Sequence, residues 1–152
     1  MVAESRRDQV KVSVEGIDEL LKDLRSLPID LQKKLEKKAI RKALKPIEAE
    51  AKDLAPVGRI DEGASGKPLK ESFAIRVRTT KGQIIGSVVN EANHSWLVEN
   101  GHNFVAWQTG RVGKRIDGTP FLGPALVSQA QTALNIFAAE SRKIMREFEK
   151  RR

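Results

Sequence analysis

The sequence predicts an α+β domain, and three observations predict it. Apolar residues alternate with polar ones at Val10 to Val14 and again on both sides of Lys81 and Gly82, the period-2 signature of half-buried strands. Other apolar residues recur at helical spacing through Ile17 to Leu27, Ile29 to Leu54 and the segment after Pro124. At 152 residues the chain falls within the roughly 100 to 200 residues expected of one domain, so residues 1–152 are read as a single core.

Val10, Val12 and Val14 alternate with Lys11, Ser13 and Glu15 as an N-terminal strand that Gly16 ends. Ile17, Leu20, Leu21, Leu24 and Leu27 then form the stripe of a short helix, with Asp18 and Glu19 in its first turn and closure near Pro28. Leu31, Leu35, Ala39, Ile40, Ala43, Leu44, Ile47, Ala51 and Leu54 line a long helix from Ile29 to Leu54. Pro46 removes one backbone donor from it, which predicts a kink or break near Lys45. Residues 57–68, rich in glycine, read as a mobile loop.

Phe73, Ile75 and Val77 alternate with Ala74, Arg76 and Arg78, and Gln83 to Val89 returns as the second strand of a hairpin. Asn93 to Asn100 is one or two helical turns closed by Gly101, and 101–118 reads as a second mobile loop. Pro124 opens a long C-terminal helix packed on the small sheet, with Leu126, Ala130, Ala133, Leu134, Phe137, Ser141, Ile144 and Phe148 on its buried stripe.

Composition narrows the function. With no cysteine there is no disulfide framework and no thiolate chemistry, which suits a reducing cytoplasm. No apolar h-region opens the chain and no apolar run reaches about 18 residues, so neither secretion nor membrane spanning is expected. The net charge of +8 favours encounter with nucleic acid or an acidic protein.

The parts of an enzyme are not found. His94 and His102, with Glu91, Glu99, Asn93 and Asn103 nearby, invite a metal or nuclease reading but lack the spacing of a ligand set. Gly110 to Arg115 has Gln108 and Arg115 where a phosphate loop needs glycine and a hydroxyl residue. Ser65, Ser72, Ser87 and Ser95 sit in no Gly-x-Ser-x-Gly elbow. No catalytic residue, metal or cofactor is expected.

Binding features are more visible. Lys33, Lys34, Lys37, Lys38, Arg41, Lys42 and Lys45 make a basic face opposite the leucine stripe of the long helix. It reads either as a solvated or acidic-partner surface, or as a DNA-contacting one through Lys34, Lys38, Arg41, Lys42 and Lys45. A small basic DNA-binding protein is therefore the alternative function. Trp107 lies in the second loop, either as an interface anchor or folded back on the core.

Four fragments, in order, resemble the tail-completion and head-tail joining family of long-tailed phages. They are Val10 to Leu24, then Ala55-Pro56-Val57 with Gly66, Leu69 and Ser72, then Trp96-Leu97-Val98-Glu99 with Gly101, and finally Pro120-Phe121-Leu122 with Pro124, Ala125 and Leu126. The chain departs from the family pattern by an insertion around Arg59 to Ala64, by Asn100 and by Gly123. The resemblance implies a non-enzymatic virion protein of the neck, made in the bacterial host cytoplasm. It implies a ring of copies, six by family expectation, around the DNA channel, in contact with other neck and tail proteins. On that reading the subunit-interface candidates are Trp96, Glu99, Phe104, Trp107, Arg111, Lys114, Arg115 and Phe121.

Overall fold

The computed structural model describes residues 15–57, 68–106 and 109–150. In chain order these form helix α1 (Ile17–Arg25), helix α2 (Ile29–Leu54), a single 3-10 turn (Leu69–Glu71), strands β1 (Phe73–Thr80) and β2 (Gln83–Asn90), helix α3 (Ser95–Asn100), strands β3 (His102–Val105) and β4 (Val112–Ile116), and helix α4 (Leu122–Glu149). The architecture is α+β, with two small antiparallel sheets of two strands each. The strand expected at Val10 to Val14 and nearly all of the loop expected at 57–68 lie outside the described residues.

Helix α2 is the organising element, flanked by α4 and by the β1–β2 hairpin. Its buried residues Ala39, Ala43, Ile47 and Ala51 recur every fourth position, a ridge made mostly of methyl groups. The α4 residues that share a core cluster with this ridge, Ala125 and Ala133, are equally small, and further along α4 Ala138, Ser141 and Ile144 are buried. Small side chains on both helices let the backbones approach closely, so an aliphatic core forms with few aromatics. Ala43, Ile47, Ala51, Ala125 and Ala133 make one cluster, against which Leu44, Phe73, Val88, Leu122, Ile136 and Phe137 pack. The C-terminal helix thus shares its core with the sheet while lying chiefly along α2.

A second cluster of Leu20, Leu24, Leu27 and Ala138 closes the opposite end, where α1 packs across the helix pair. Gly16 starts α1 in the left-handed region with φ 70°, and Asp18 and Glu19 face the helix's positive end.

The helix runs unbroken through Pro46, whereas a break near Lys45 was one of the two expected outcomes. Pro46 deprives the Lys42 carbonyl of its helical donor, but tertiary packing on both flanks holds the segment: Ala43 and Ile47, on either side of the defect, are buried in the central cluster.

β1 and β2 pair in continuous antiparallel register from Phe73↔Asn90 to Thr80↔Gln83. Lys81 and Gly82 both have positive φ, 50° and 81°, so the two-residue connection has the sign pattern of a type I′ turn, whose twist matches that of the strands. At Gly86 the sheet meets α2 so closely that a Cβ would overlap Ile40 Cγ2 and lie 2.7 Å from Leu44 Cδ1.

Two expectations are corrected. The stripe of α4 does not include Leu126, which is half exposed, because the helix begins at Leu122 and is phased by the fully buried Ala125. The segment 101–118, read as a loop, carries the β3–β4 hairpin, with pairs His102↔Ile116, Asn103↔Arg115 and Val105↔Val112 and a register shift between Asn103 and Val105.

Candidate functional site

The β3–β4 hairpin is an arm. Two glycines set its base: Gly101 has φ 73°, and a Cβ there would lie 2.5 Å from the Ile116 carbonyl oxygen and 2.6 Å from the Gly118 amide nitrogen. Side chains at either glycine would force the two ends of the hairpin apart. Beyond the base, every described residue of both strands except His102 is exposed. At the tip, Ala106 donates to the Arg111 carbonyl at 3.0 Å and Gly110, with φ 64°, donates back to the Ala106 carbonyl at 2.9 Å.

The arm's exposed residues are not merely polar. Phe104, Val105, Val112 and Ile116 present apolar surface, and Trp96 and Leu97 of α3 do the same next to its base. Sequence reasoning nominated Phe104 and Trp96 and missed Leu97, Val105, Val112 and Ile116. Their alternation is irregular and the register shift breaks it, so periodicity carried no signal. Arg111 and Lys114 are exposed on the arm. Arg115 donates to the Asn100 carbonyl at 3.2 Å and lies 4.0 Å from Asp117. Trp107 lies outside the described residues.

Two of the interface candidates, Phe121 and Glu99, make contacts within the chain. Phe121 is fully buried with Ala55 and Leu69, in edge-to-face contact with Phe73 at 5.8 Å between ring centroids. It cannot meet a neighbour without opening the core. Glu99 acts as a remote cap: its carboxylate accepts from the backbone N–H groups of Phe121 at 2.8 Å, Leu122 at 3.1 Å and Gly123 at 3.1 Å. Those are orphan donors of a helix N-terminus, where a carboxylate is also favoured by the macrodipole. Through Glu99 the short helix at the arm's base is locked to the start of α4.

The basic face lies elsewhere, on α2. Lys34, Lys37, Lys38, Arg41, Lys42 and Lys45 line one shallow depression. Residues 33–47 hold seven cations and one acid, Glu36, giving a local charge of +6. The remaining 137 residues carry 21 cations against 19 acids, so three quarters of the protein's +8 sits in this single stretch. Among the described residues only Lys42 of the six has a carboxylate at salt-bridge distance, Glu140 Oε2 at 2.7 Å. That hydrogen bond holds the Glu140 carboxyl below its ordinary value; partial burial opposes it, and the charges of Lys42, Lys143 and Lys38 add to it. Lys33 and Lys37, Lys34 and Lys38, Lys37 and Arg41, Lys38 and Lys42, and Arg41 and Lys45 stand four apart on the helix, each pair costing about 0.2–0.5 kcal/mol of repulsion.

His94 is exposed and His102 half-buried at the base of the arm, its Nδ1 without a hydrogen-bond partner among the described residues. The described residues contain no group of three His, Cys, Asp or Glu side chains that could hold a metal ion, and no helix long and apolar enough to cross a membrane.

The model of a family described as "Bacteriophage HK97-gp10, putative tail-component" matches residues 18–101, 84 of the 152 residues. The matched span runs from α1 to the base of the arm. No curated protein and no solved structure matches the chain significantly.

Proposed function

Because the chain belongs to this HK97-gp10-like family of bacteriophage tail components, we propose that it is a neck subunit that completes the tail or joins it to the head, acting by assembly and not by catalysis. A tail component is part of the virion, and other tail proteins are its natural partners. On this reading several copies close into a ring around the DNA channel, six in number if the resemblance in its sequence motifs extends to symmetry.

The observation that supports assembly is the arm. A two-stranded hairpin is marginal by itself in water, and here neither strand has a buried residue while Phe104, Val105, Val112 and Ile116 stay exposed. A closed ring needs a heterologous contact, in which one surface of a subunit meets a different surface of the next. An arm whose strands close tightly at Gly101 and Gly118 and which exposes apolar side chains suits the first of those surfaces. Glu99 then holds the arm's base in a fixed direction relative to α4.

The test replaces Phe104 and Val112 by aspartate in the full chain. Both are exposed, so the circular dichroism spectrum and melting temperature should stay close to those of the parent. Virions or tails made with the variant should contain little or none of it by mass spectrometry and should be defective in head-tail joining. Normal incorporation and normal joining would overturn the assignment of the arm.

A further inference from the structure

We propose that the six-cation depression on α2 is a binding site for the sugar-phosphate backbone of duplex DNA, read without regard to sequence. This surface is separate from the arm, and the inference does not depend on the ring reading.

The placement carries the argument. Positions 34, 37, 38, 41, 42 and 45 follow one helical stripe, and their side chains enclose a common depression. From the first to the last the helix rises about 16 Å, and over that length a duplex presents one phosphate charge about every 1.7 Å of axis. With Lys42 held by Glu140, five cations are left to meet phosphates. The stripe is also concentrated charge: the rest of the chain is close to neutral, so a polyanion would be drawn to this face specifically.

The residue types choose among polyanions. Five of the six are lysine and one is arginine, with no aromatic among them. Lysine is depleted at protein–protein interfaces, where aromatic and arginine anchors dominate, which speaks against an acidic protein. Single strands are usually held by stacking bases on aromatic rings, which this face lacks. Compact, strongly hydrated ammonium groups on flexible stems are suited to contacts with phosphates alone.

The experiment measures binding of the full chain to a short fluorescein-labelled duplex by anisotropy across a salt series. Five phosphate contacts predict a slope of log K against log salt of about −4.5. Neutralising Lys34→Gln, Lys38→Gln and Lys45→Gln, all exposed, should flatten that slope by about three, one for each contact removed. The control triple Lys22→Gln, Lys70→Gln and Arg78→Gln removes the same charge from exposed positions outside both α2 and the arm and should leave the slope unchanged. Circular dichroism confirms that both triples fold. Equal losses in the two triples would reduce the effect to overall charge and overturn the site. So would the absence of low-salt binding, or displacement of the duplex by polyglutamate at equal charge concentration, which would reassign the face to an acidic polypeptide.

Discussion

Among the described residues are two antiparallel hairpins of different standing. β1–β2 lies against α2, with Phe73 and Val88 packed on the central cluster and Gly86 pressed to Ile40 and Leu44. β3–β4 is joined to the body through its glycine base and the Glu99 cap, and leaves its own apolar residues exposed. Hairpins need a covered face to be stable. The first obtains it from within the chain; the second leaves it open, and under the proposed assembly role a neighbouring copy would supply it. The contrast separates what folds the chain from what the chain leaves exposed.

Two phenylalanines give the sharpest way to break that contrast. Phe121, at the anchor of α4, is fully buried, while Phe104, on the arm, is 56% exposed. Phe121→Ala removes a core ring and should cost about 3–5 kcal/mol, which for a chain of this size lowers the melting temperature by about 3 °C per kcal/mol. Phe104→Ala should change folding stability by less than about 0.5 kcal/mol. Thermal unfolding of the two variants of the isolated chain checks this. A large loss from Phe104→Ala would mean that the arm belongs to the folding core after all.

Two glycines sharpen the comparison at smaller scale. A Cβ at Gly86 meets the branch methyl of Ile40, which can yield only if the side chain leaves its rotamer or the sheet retreats from α2. Gly86→Ala should therefore cost about 1–3 kcal/mol as overpacking. At Gly113 the added carbon lies 3.2 Å from the Cδ1 of Phe104, an exposed ring that can turn away. Gly113→Ala should be neutral within about 0.5 kcal/mol, and chemical denaturation of both variants tests the pair.

What could be read in advance divides along the same line. The bounds of α2 and the β1–β2 hairpin follow from periodicity punctuated by Pro28, Ala55-Pro56 and Lys81-Gly82, because their apolar faces are buried and periodicity reports burial. The arm was hidden for the complementary reason: residues that face nothing within the chain need not alternate. Leu126 was misplaced because hydrophobicity ranks leucine above alanine, while the phase of α4 is set by Phe121 and Ala125. The cap made by Glu99 spans 22 to 24 residues, beyond any local capping pattern. The basic face was legible as charge; that Lys42 is committed to a carboxylate 98 residues away was not.

The smallest expected effect compares ion pairs in the two regions. On the helical body Lys42 and Glu140 meet at 2.7 Å, with the Glu140 side chain only 20% exposed; on the arm Arg115 and Asp117 are 4.0 Å apart and far more exposed. The Glu140 carboxyl is held below its ordinary value of 4.5 mainly by the hydrogen bond from Lys42. A carboxyl with a lowered folded-state value contributes stability that is present above its unfolded value and disappears as pH falls through the folded one. Glu140→Gln should thus lower the melting temperature at pH 7, and the difference from the parent should shrink at acid pH, as the pH falls below 4.5 and through the lowered folded value. Asp117→Asn should leave the melting temperature unchanged at both, since a loose surface pair contributes about 0–1 kcal/mol at most. If the Glu140→Gln difference were the same at neutral and acid pH, the ion pair would not be its origin, and the join between α2 and α4 would rest on the alanine seam alone.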